Sequence, residues 1–537
     1  MFVFMPLSVH AAEVYYLGGT GQGNGPAFRL SGSVSQQVIH NDVSGNISKS
    51  FLKRGTDYIS ETNLNVVKKL LGNYSLEGQV FLRKTDDPRV DVRRDVRMKQ
   101  FDLKILNPDN LYEFGDFYGD FSPFALGSSL EGAHAVLSPS SSQKYQVVAA
   151  RTGEADTTTS RFQRNVAGVK ADHQFFLDST AFSNFRMGVQ AVTVADDSSS
   201  VERAASTKDI INTVLSTDGE IAWRGPLALQ YEVAHSFYKD ETSAEPRNTD
   251  QANAVRIKPS FSTDKWGIGY LYYLAQPKFY SDQGSAMPDK IQHQVNVDYR
   301  FSQRFSVNMV ENYYWDHLPG SSQTKRTTNN EQYVSITAQP MEGRTSFVVR
   351  PYVSYARKDS DDPANSAEGA TRMAGIAFND LIQAIGLNYG AKYEFRSYKD
   401  YANGTASDYF HRIGFNASRD FKVWQRRLYL ALEPNIDLRR TKTDTNYDVG
   451  MNLGANGQYD ISERLFLRGN HTLSDMNAAR PSSDYVQTRT SSELDFMLNQ
   501  AKTAHFITRY EYNHYIFEDG QQSYNENRII GKFFINF

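Results

Sequence analysis

Charged side chains recur at alternate positions in many short segments of this chain. In the clearest of these segments, the alternate positions carry nine basic and five acidic residues. Opposite charges on one face of a sheet form cross-strand ion pairs, and rings of such charges set ion preference. This chemistry predicts a hydrated, weakly cationic wall. The basic residues are Arg300, Arg350, Lys392, Arg396, Arg427, Arg439, Arg509, Arg528 and Lys532, and the acidic residues are Asp298, Glu394, Glu433, Asp437 and Glu511.

A second group of candidate residues lies in the segment FGDFYGDFSPFALGSSLEGAHAVL, residues 114–137. Two Gly-Asp steps place Asp116 and Asp120 among aromatic residues, and glycine within a strand marks a bulge or a close backbone approach. Two interpretations stay open. Either the segment folds inward as a constriction with both aspartates facing a passing solute, or it is a kinked pair of strands in a wall.

The sequence does not indicate catalytic, cofactor-binding or metal-binding residues. Cysteine is absent, which excludes disulfides, thiolate metal sites and covalent haem attachment within this chain. The glycine-rich stretch at residues 18–25 matches no nucleotide-binding pattern, and DSDDP at residues 359–363 lacks the full calcium-loop pattern. A net charge of −3 gives no basic footprint for nucleic acid. Scattered Ser, His and Asp residues leave a membrane hydrolase open as a minor alternative.

The elements that carry the charged residues follow a period of two. Leu428, Leu430 and Leu432 alternate with polar side chains, and the same alternation returns in segments of roughly ten to fourteen residues, the length of a tilted strand crossing a bilayer. One register is almost wholly apolar or aromatic, and Tyr313 and Trp315 close one such series as an aromatic girdle does. This pattern predicts an all-β transmembrane barrel.

Connections between these segments alternate between long and short. Long ones such as residues 278–289 and 317–325 are separated by short links such as DISE and SQR. Barrels that span a membrane have short periplasmic turns and long outer loops. We therefore predict a single antiparallel barrel over residues 27–537, with about 26 strands (range 22–28), long loops outside and both termini in the periplasm.

The two ends of the chain carry their own signals. Residues 1–11 resemble a signal peptide whose basic front is missing, which an upstream start codon would explain, and residues 12–26 are predicted to be a flexible periplasmic segment. At the other end, Phe533, Ile535 and Phe537 share one register of the last segment. This ending resembles the C-terminal signal that the barrel-assembly machinery reads on outer-membrane proteins.

Together these features resemble the Gram-negative outer-membrane β-barrels of the porin-like family. They also resemble the large barrels of porin–cytochrome conduits, although the N-terminal cysteine pair of some of those barrels is absent. The resemblance implies an integral outer-membrane protein that contacts lipid and lipopolysaccharide and needs no cofactor of its own. The implied function is a channel for small solutes or ions. The alternative is a sheath around a periplasmic multihaem cytochrome, to which any haem would belong.

The expected strand number raises the question of what narrows the barrel. Barrels of 16–18 strands leave an aqueous channel, and barrels of about 22 strands are plugged. A barrel near 26 strands would leave a large hole in a permeability barrier. The candidates for narrowing it are inward-folded outer loops, residues 114–137, the N-terminal segment or a second protein.

Overall fold

The computed structural model describes residues 28–537, except residues 71, 92–93, 153–161, 176–180, 202–207, 242–247, 323–324, 362–367, 402–406, 445, 478–483 and 518–521. Within these residues the chain forms 26 strands and one short 3₁₀ helix, Ile47–Lys49. No helix in the described ranges has the length and apolar character needed to cross a bilayer.

The first half of the chain contains strands β1 to β13. Their bounds are β1 Phe28–Gly45, β2 Gly55–Lys69, β3 Ser75–Thr85, β4 Arg97–Leu106, β5 Asn110–Ser122, β6 Leu126–Ser140, β7 Gln143–Arg151, β8 Gln163–Phe175, β9 Phe182–Asp197, β10 Asp209–Trp223, β11 Leu227–Glu241, β12 Asn248–Ser262 and β13 Trp266–Ala275.

The second half contains strands β14 to β26. Their bounds are β14 Lys290–Ser302, β15 Phe305–Trp315, β16 Thr327–Ala338, β17 Val348–Ser360, β18 Gly369–Ile382, β19 Leu387–Asp400, β20 Asp408–Val423, β21 Arg426–Thr441, β22 Asp448–Asp460, β23 Leu465–Asn477, β24 Tyr485–Met497, β25 Ala504–Phe517 and β26 Tyr524–Asn536.

All 26 strands belong to one antiparallel sheet. The first strand pairs with the last, from Ser33 opposite Asn536 to Gly45 opposite Tyr524, and this pairing closes the sheet into a barrel. Closure pairs the first and last strands with each other, so neither is left as an open edge in the surrounding lipid. The predicted fold class and the predicted number of strands are both confirmed.

The two faces of the sheet differ in character. One register carries exposed apolar side chains, such as Leu430 and Leu432, while Ala431 between them is buried. We call the register with the exposed apolar side chains the outer face and the opposite register the inner face. A closed antiparallel sheet with an apolar outer face is the architecture that spans a membrane with strands. The chain is thus an integral membrane barrel.

The chain divides into two compact units. Unit 1 contains the described residues up to Phe101, together with Ala377–Glu394 and Phe410–Phe537, and unit 2 contains Asp102–Ile376 and Phe395–Tyr409. The main cluster of buried apolar side chains lies in unit 2. Cross-strand ion pairs lie on the inner faces of both units. The two units therefore differ in the apolar cluster, which only the inner face of unit 2 carries among the described residues.

The connections after odd-numbered strands are generally longer than those after even-numbered strands. Residues 276–289 and 316–326 follow odd-numbered strands, whereas residues 303–304 and 424–425 follow even-numbered ones. The connection between β5 and β6 departs most strongly from this pattern, because it consists of residues 123–125 alone. This exception lies in the segment whose glycines and aspartates stand out in the sequence.

Candidate translocation pathway

The hairpin of β5 and β6 leaves the wall of unit 2. Strand β5 pairs with β4 only as far as Gly115, opposite Asp102, and β6 begins to pair with β7 at Glu131, opposite Arg151. Beyond those positions β5 and β6 pair only with each other. Gly115 has a φ of +104°, a conformation that side chains disfavour and that allows the chain to bend. We call residues 116–130 the inward hairpin.

One side of the inward hairpin packs against the inner face of unit 2. Phe124 is 1% exposed and its ring lies 5.6 Å from the rings of both Tyr273 and Phe279. Burial of several large apolar side chains is the main stabilising contribution to such a contact. The buried cluster comprises Phe117, Phe121, Phe124, Ala125, Leu126, Leu130, Val148, Val166, Val192, Val194, Val214, Ala234, Ala252, Ala254, Tyr273, Ala275 and Phe279.

Polar contacts fix the tip of the hairpin. The Phe124 amide donates to Glu232 Oε1 at 3.0 Å, and Glu232 is only 2% exposed. Lys170 Nζ donates to the carbonyl oxygen of Phe121, and Ser281 Oγ donates to the carbonyl oxygen of Phe124 at 2.5 Å. Backbone groups at the turn therefore have partners on the wall and on the connection after β13, as buried backbone groups must.

The connection between β13 and β14, residues 276–289, also folds over the inner face. The Gly127 amide donates to the Gln283 carbonyl at 2.8 Å, and the Ser285 amide donates to the Pro123 carbonyl at 2.7 Å. A Cβ at Gly284 would lie 2.8 Å from the carbonyl oxygens of Pro123 and Phe124, so glycine permits this close approach. We call residues 276–289 the inner loop. The hairpin and the inner loop form one docked layer.

A compensated charge cluster lies on the wall beside the docked layer. Lys170 Nζ lies 3.0 Å from Asp218 Oδ1, and the Arg186 guanidinium lies 2.9 Å from Asp218 and 2.7 Å from Asp172. Lys170 is buried, and a buried charge requires a partner. The two basic and two acidic side chains balance each other. Because Lys170 also donates to the carbonyl oxygen of Phe121, the cluster anchors the hairpin.

The other side of the inward hairpin does not face the wall. Asp116, Tyr118 and Asp120 alternate with the packed residues Phe117 and Phe121, and Tyr118 is 61% exposed. The geometry agrees with the first interpretation of this segment, in which it folds inward. That Asp116 and Asp120 contact a passing solute remains a prediction.

The other predicted wall residues of unit 2 lie on the inner face. Arg300 lies opposite Ser306. Val349 lies opposite the outer-face residue Ala338, so its neighbour Arg350, which is exposed, lies on the inner face. Arg396 approaches Asp408, with 4.0 Å between Nη2 and Oδ2. These side chains lie on the register that the sequence assigned to them.

The predicted wall residues of unit 1 share its inner face and form local ion pairs. Lys392 Nζ lies 2.8 Å from Glu394 Oε2, and Arg427 Nε lies 2.6 Å from Asp420 Oδ1. Glu433 lies opposite Gly454, and Arg439 lies opposite Asp448. Since most of these charges have opposite charges beside them, the wall is a polar surface of mixed sign.

An ion-pair ladder crosses strands β23 to β26. Glu493 accepts from Arg509 and, at 2.7 Å, from Arg468. Glu511 lies 3.6 Å from Arg509 and 3.5 Å from Arg528. The sequence-based tally left out Glu493 and Arg468 because it used only the clearest segments. The predicted excess of positive charge in the lumen therefore remains a prediction.

The connection after β3 gives a pH-dependent prediction. Hydrogen bonds from the Arg89 guanidinium, at 2.8 and 2.9 Å, lower the pKa of Asp87 below its ordinary value of about 3.9. A lowered pKa means that the pair stabilises the connection above the ordinary value and loses this effect as the pH falls through the lowered value. We expect the amides of Val90 and Asp91, which donate to the Asp87 carbonyl, to lose hydrogen-exchange protection only at a pH below the ordinary carboxyl range, where Asp87 becomes protonated.

The variant Asp87→Asn lacks the carboxylate at every pH. Its Val90 and Asp91 amides should therefore show, at neutral pH, the reduced hydrogen-exchange protection that the wild type shows only in acid. Asp264→Asn, in the exposed turn between β12 and β13, provides the control. Equal protection of wild type and Asp87→Asn at pH 7 would contradict the assignment of this ion pair.

The predicted assembly residues lie on the closing strand. Phe533 pairs with Gln36 and Ile535 with Val34, both on the outer face of β1. Phe537 exchanges two backbone hydrogen bonds with Gly32, at 2.8 and 3.0 Å. A Cβ at Gly32 would lie 3.1 Å from the Phe537 ring, so the ring covers the glycine. Recognition of these residues by the assembly machinery remains a prediction.

Sequence reasoning missed the wall that receives the hairpin. Residues 147–150 are apolar at consecutive positions, and residues 191–195 are apolar except for Thr193, which is typical of strands covered on both faces. Val147 and Val189 are exposed on the outer face, while Val148 and Val192 are buried on the inner face. The sequence signal for this covered wall was that apolar and polar residues no longer alternate in these neighbouring strands.

Several sequence-based predictions fall outside the described residues. These include the signal-like residues 1–11, the segment 12–26 and residues 362–363 of the calcium-like segment. The described residues hold no group of three or more His, Cys, Asp or Glu side chains arranged to bind a metal ion.

Comparisons with known proteins assign this chain to no family. No protein-family model and no curated protein sequence matches the chain. The siderophore receptor PirA of Pseudomonas aeruginosa is 10% identical with a TM-score of 0.41, over 95% of this chain and 80% of the receptor. OccAB4 of Acinetobacter baumannii is 10% identical with a TM-score of 0.29, over 95% and 98%. A BenF-like porin of Pseudomonas fluorescens Pf-5 is 8% identical with a TM-score of 0.29, over 95% and 99%.

Proposed function

We propose that this chain is an outer-membrane channel for small solutes or ions, narrowed from within by its own inward hairpin and inner loop. The observation that carries the proposal is the docked layer on the inner face of unit 2. A large barrel left open would defeat the permeability barrier, and a segment of the same chain supplies the narrowing. The hydrated, charged inner face of unit 1 suits the passage of polar solutes.

The first test is the conductance of the purified protein in a planar lipid bilayer. We expect discrete single-channel steps without any added partner, because the packed layer covers only the inner face of the strands that it touches. The control is the same protein denatured by heat before reconstitution. Absence of steps from a correctly folded barrel would contradict the channel proposal.

The outcome of this test also separates the channel from a sheath. A barrel that is silent alone, but that binds a purified multihaem cytochrome and then carries electrons across liposomes, would support the sheath instead. The haem would in that case belong entirely to the partner. Discrete steps from the barrel alone would contradict the sheath.

The side of the inward hairpin that carries Asp116 and Asp120 predicts ion selectivity. Removing the charges of Asp116 and Asp120 with the double substitution D116N/D120N should shift the reversal potential in a potassium chloride gradient toward chloride. The reason is that carboxylates in a narrow aqueous passage attract cations and repel anions. Tyr118 between them is largely exposed, so this side of the strand is accessible to solvent.

The matched control is Glu342→Gln, which removes an exposed carboxylate in the connection between β16 and β17. It should leave the reversal potential unchanged. A double variant with wild-type selectivity would show that the aspartates do not line the narrow part of the pathway.

A further inference from the structure

The outer face of unit 2 carries a groove that the channel proposal does not use. The groove has a volume of about 440 Å³ and crosses strands β8 to β12. In one row of paired residues, Ala191 lies between Val169 and Leu215. In the next row, Thr217 lies between Val189 and Val233. Small side chains beside larger ones therefore form a diagonal depression in the lipid-facing surface.

One end of the groove is polar. His235 and Asn253 line this end, and His235 Nδ1 lies 2.8 Å from Asn253 Oδ1. On the same face, Gln251 lies opposite Phe237, and Lys239 lies opposite Thr249 in the following row. Asp209 and Glu241 form the row beyond and mark the end of the patch. Toward the long connections, the apolar groove is thus followed first by the hydrogen-bonded pair of His235 and Asn253 and then by the positive charge of Lys239.

We propose that this groove binds one acyl chain of a phosphorylated lipid whose head group meets His235 and Lys239. The groove faces hydrocarbon, and apolar cavities do not retain water, so an acyl chain is the occupant that its environment supplies. A phosphate accepts hydrogen bonds and attracts a cation, which matches the polar end. Because the long connections are expected outside, the lipid belongs to the outer leaflet and has the chemistry of lipid A.

The inference depends on membrane location and is independent of conduction. A variant that lost the lipid but kept the single-channel steps would leave the proposed function standing. A silent barrel that kept the lipid would leave this inference standing.

The experiment is native mass spectrometry of the delipidated barrel, titrated with lipid A, phosphatidylglycerol or phosphatidylcholine. We expect one lipid A molecule to bind the wild-type barrel more tightly than phosphatidylcholine. Ala191→Phe fills the groove and should weaken lipid A binding at least about tenfold, the equivalent of two buried methylene groups. The double variant H235A/K239A leaves the groove open and should remove the preference for lipid A over phosphatidylcholine.

The matched control is Ala455→Phe, which adds the same ring to the outer face of β22, where Ala455 lies opposite Leu432. This variant should bind lipid A as the wild type does. Equal weakening in A191F and A455F, or wild-type binding in A191F, would overturn the proposal. Loss of a dimer in A191F with unchanged lipid binding would overturn it in favour of an interface between two copies. If A191F does not fold, H235A/K239A decides the result, and an unchanged lipid preference in that variant overturns the proposal.

Discussion

Replacing residues 117–129 with a short glycine linker is expected to raise the single-channel conductance several-fold. The deleted residues form most of the inward hairpin, whose apolar side packs on the inner face of unit 2. The wall itself should persist, because residues 111–115 of β5 still pair with β4 and the residues of β6 after Glu131 still pair with β7. Planar-bilayer recordings of the deletion variant, beside wild type, measure the effect directly.

A single substitution tests the same idea without shortening the chain. Phe124→Asp places a carboxylate where Phe124 is 1% exposed, and loss of a buried phenylalanine alone costs about 3–5 kcal/mol. Each polar contact at the tip contributes about 0.5–1.5 kcal/mol, so the loss of apolar packing outweighs any one of them. We expect larger and noisier conductance steps from a hairpin that no longer stays docked.

Phe51→Asp is the control for this substitution, because Phe51 is 94% exposed. It should conduct as the wild type does. Wild-type conductance from both the deletion variant and Phe124→Asp would show that the hairpin does not limit flow, and the narrowing would then have to lie elsewhere.

The second large effect is expected at the closing strand. Removing the ring with Phe537→Ala should strongly reduce the amount of heat-modifiable, folded barrel recovered from outer membranes. Phe533, Ile535 and Phe537 form the apolar edge that we expect the assembly machinery to bind, and the Phe537 ring also covers Gly32 on β1. The shift between folded and unfolded bands on an unheated gel measures the assembled fraction.

The neighbouring Phe534 supplies a control of the same chemistry on the opposite face. Phe534 lies opposite Ser35 and His505 on the inner face. Phe534→Ala should therefore assemble far better than Phe537→Ala. Equal loss in the two variants would show that any apolar ring near the end of the chain matters, and that its register does not.

The strands were predictable because apolar residues that contact lipid alternate along each strand with polar residues that face the interior. In segments such as residues 428–438, apolar and polar residues keep one phase from end to end, so both the strand and its faces follow from the sequence. The strand count followed from repeated alternation and from the rule that bacterial single-chain barrels have even strand numbers. Pairing of β1 with β26 then followed, because a closed barrel requires the first and last strands to be neighbours.

The inward hairpin was harder to predict because a strand that packs inside also alternates. The sequence shows a change of phase at Gly115, since Phe114 is an exposed outer-face residue whereas the buried Phe117 and Phe121 belong to the opposite register. Alternation alone cannot distinguish apolar contact with lipid from apolar contact with another part of the protein. The docking partners, Tyr273 and Phe279, are too distant in the chain for local patterns to reveal them.

The buried turn at residues 123–125 has a practical consequence for labelling and display. A short connection between two strands normally invites the insertion of an epitope or a small tag, since such tips tend to be exposed. Here both Phe124 and Ala125 are 1% exposed, and a tag placed between them would have to displace the inner loop. Anyone adding a surface label to this protein should choose another connection.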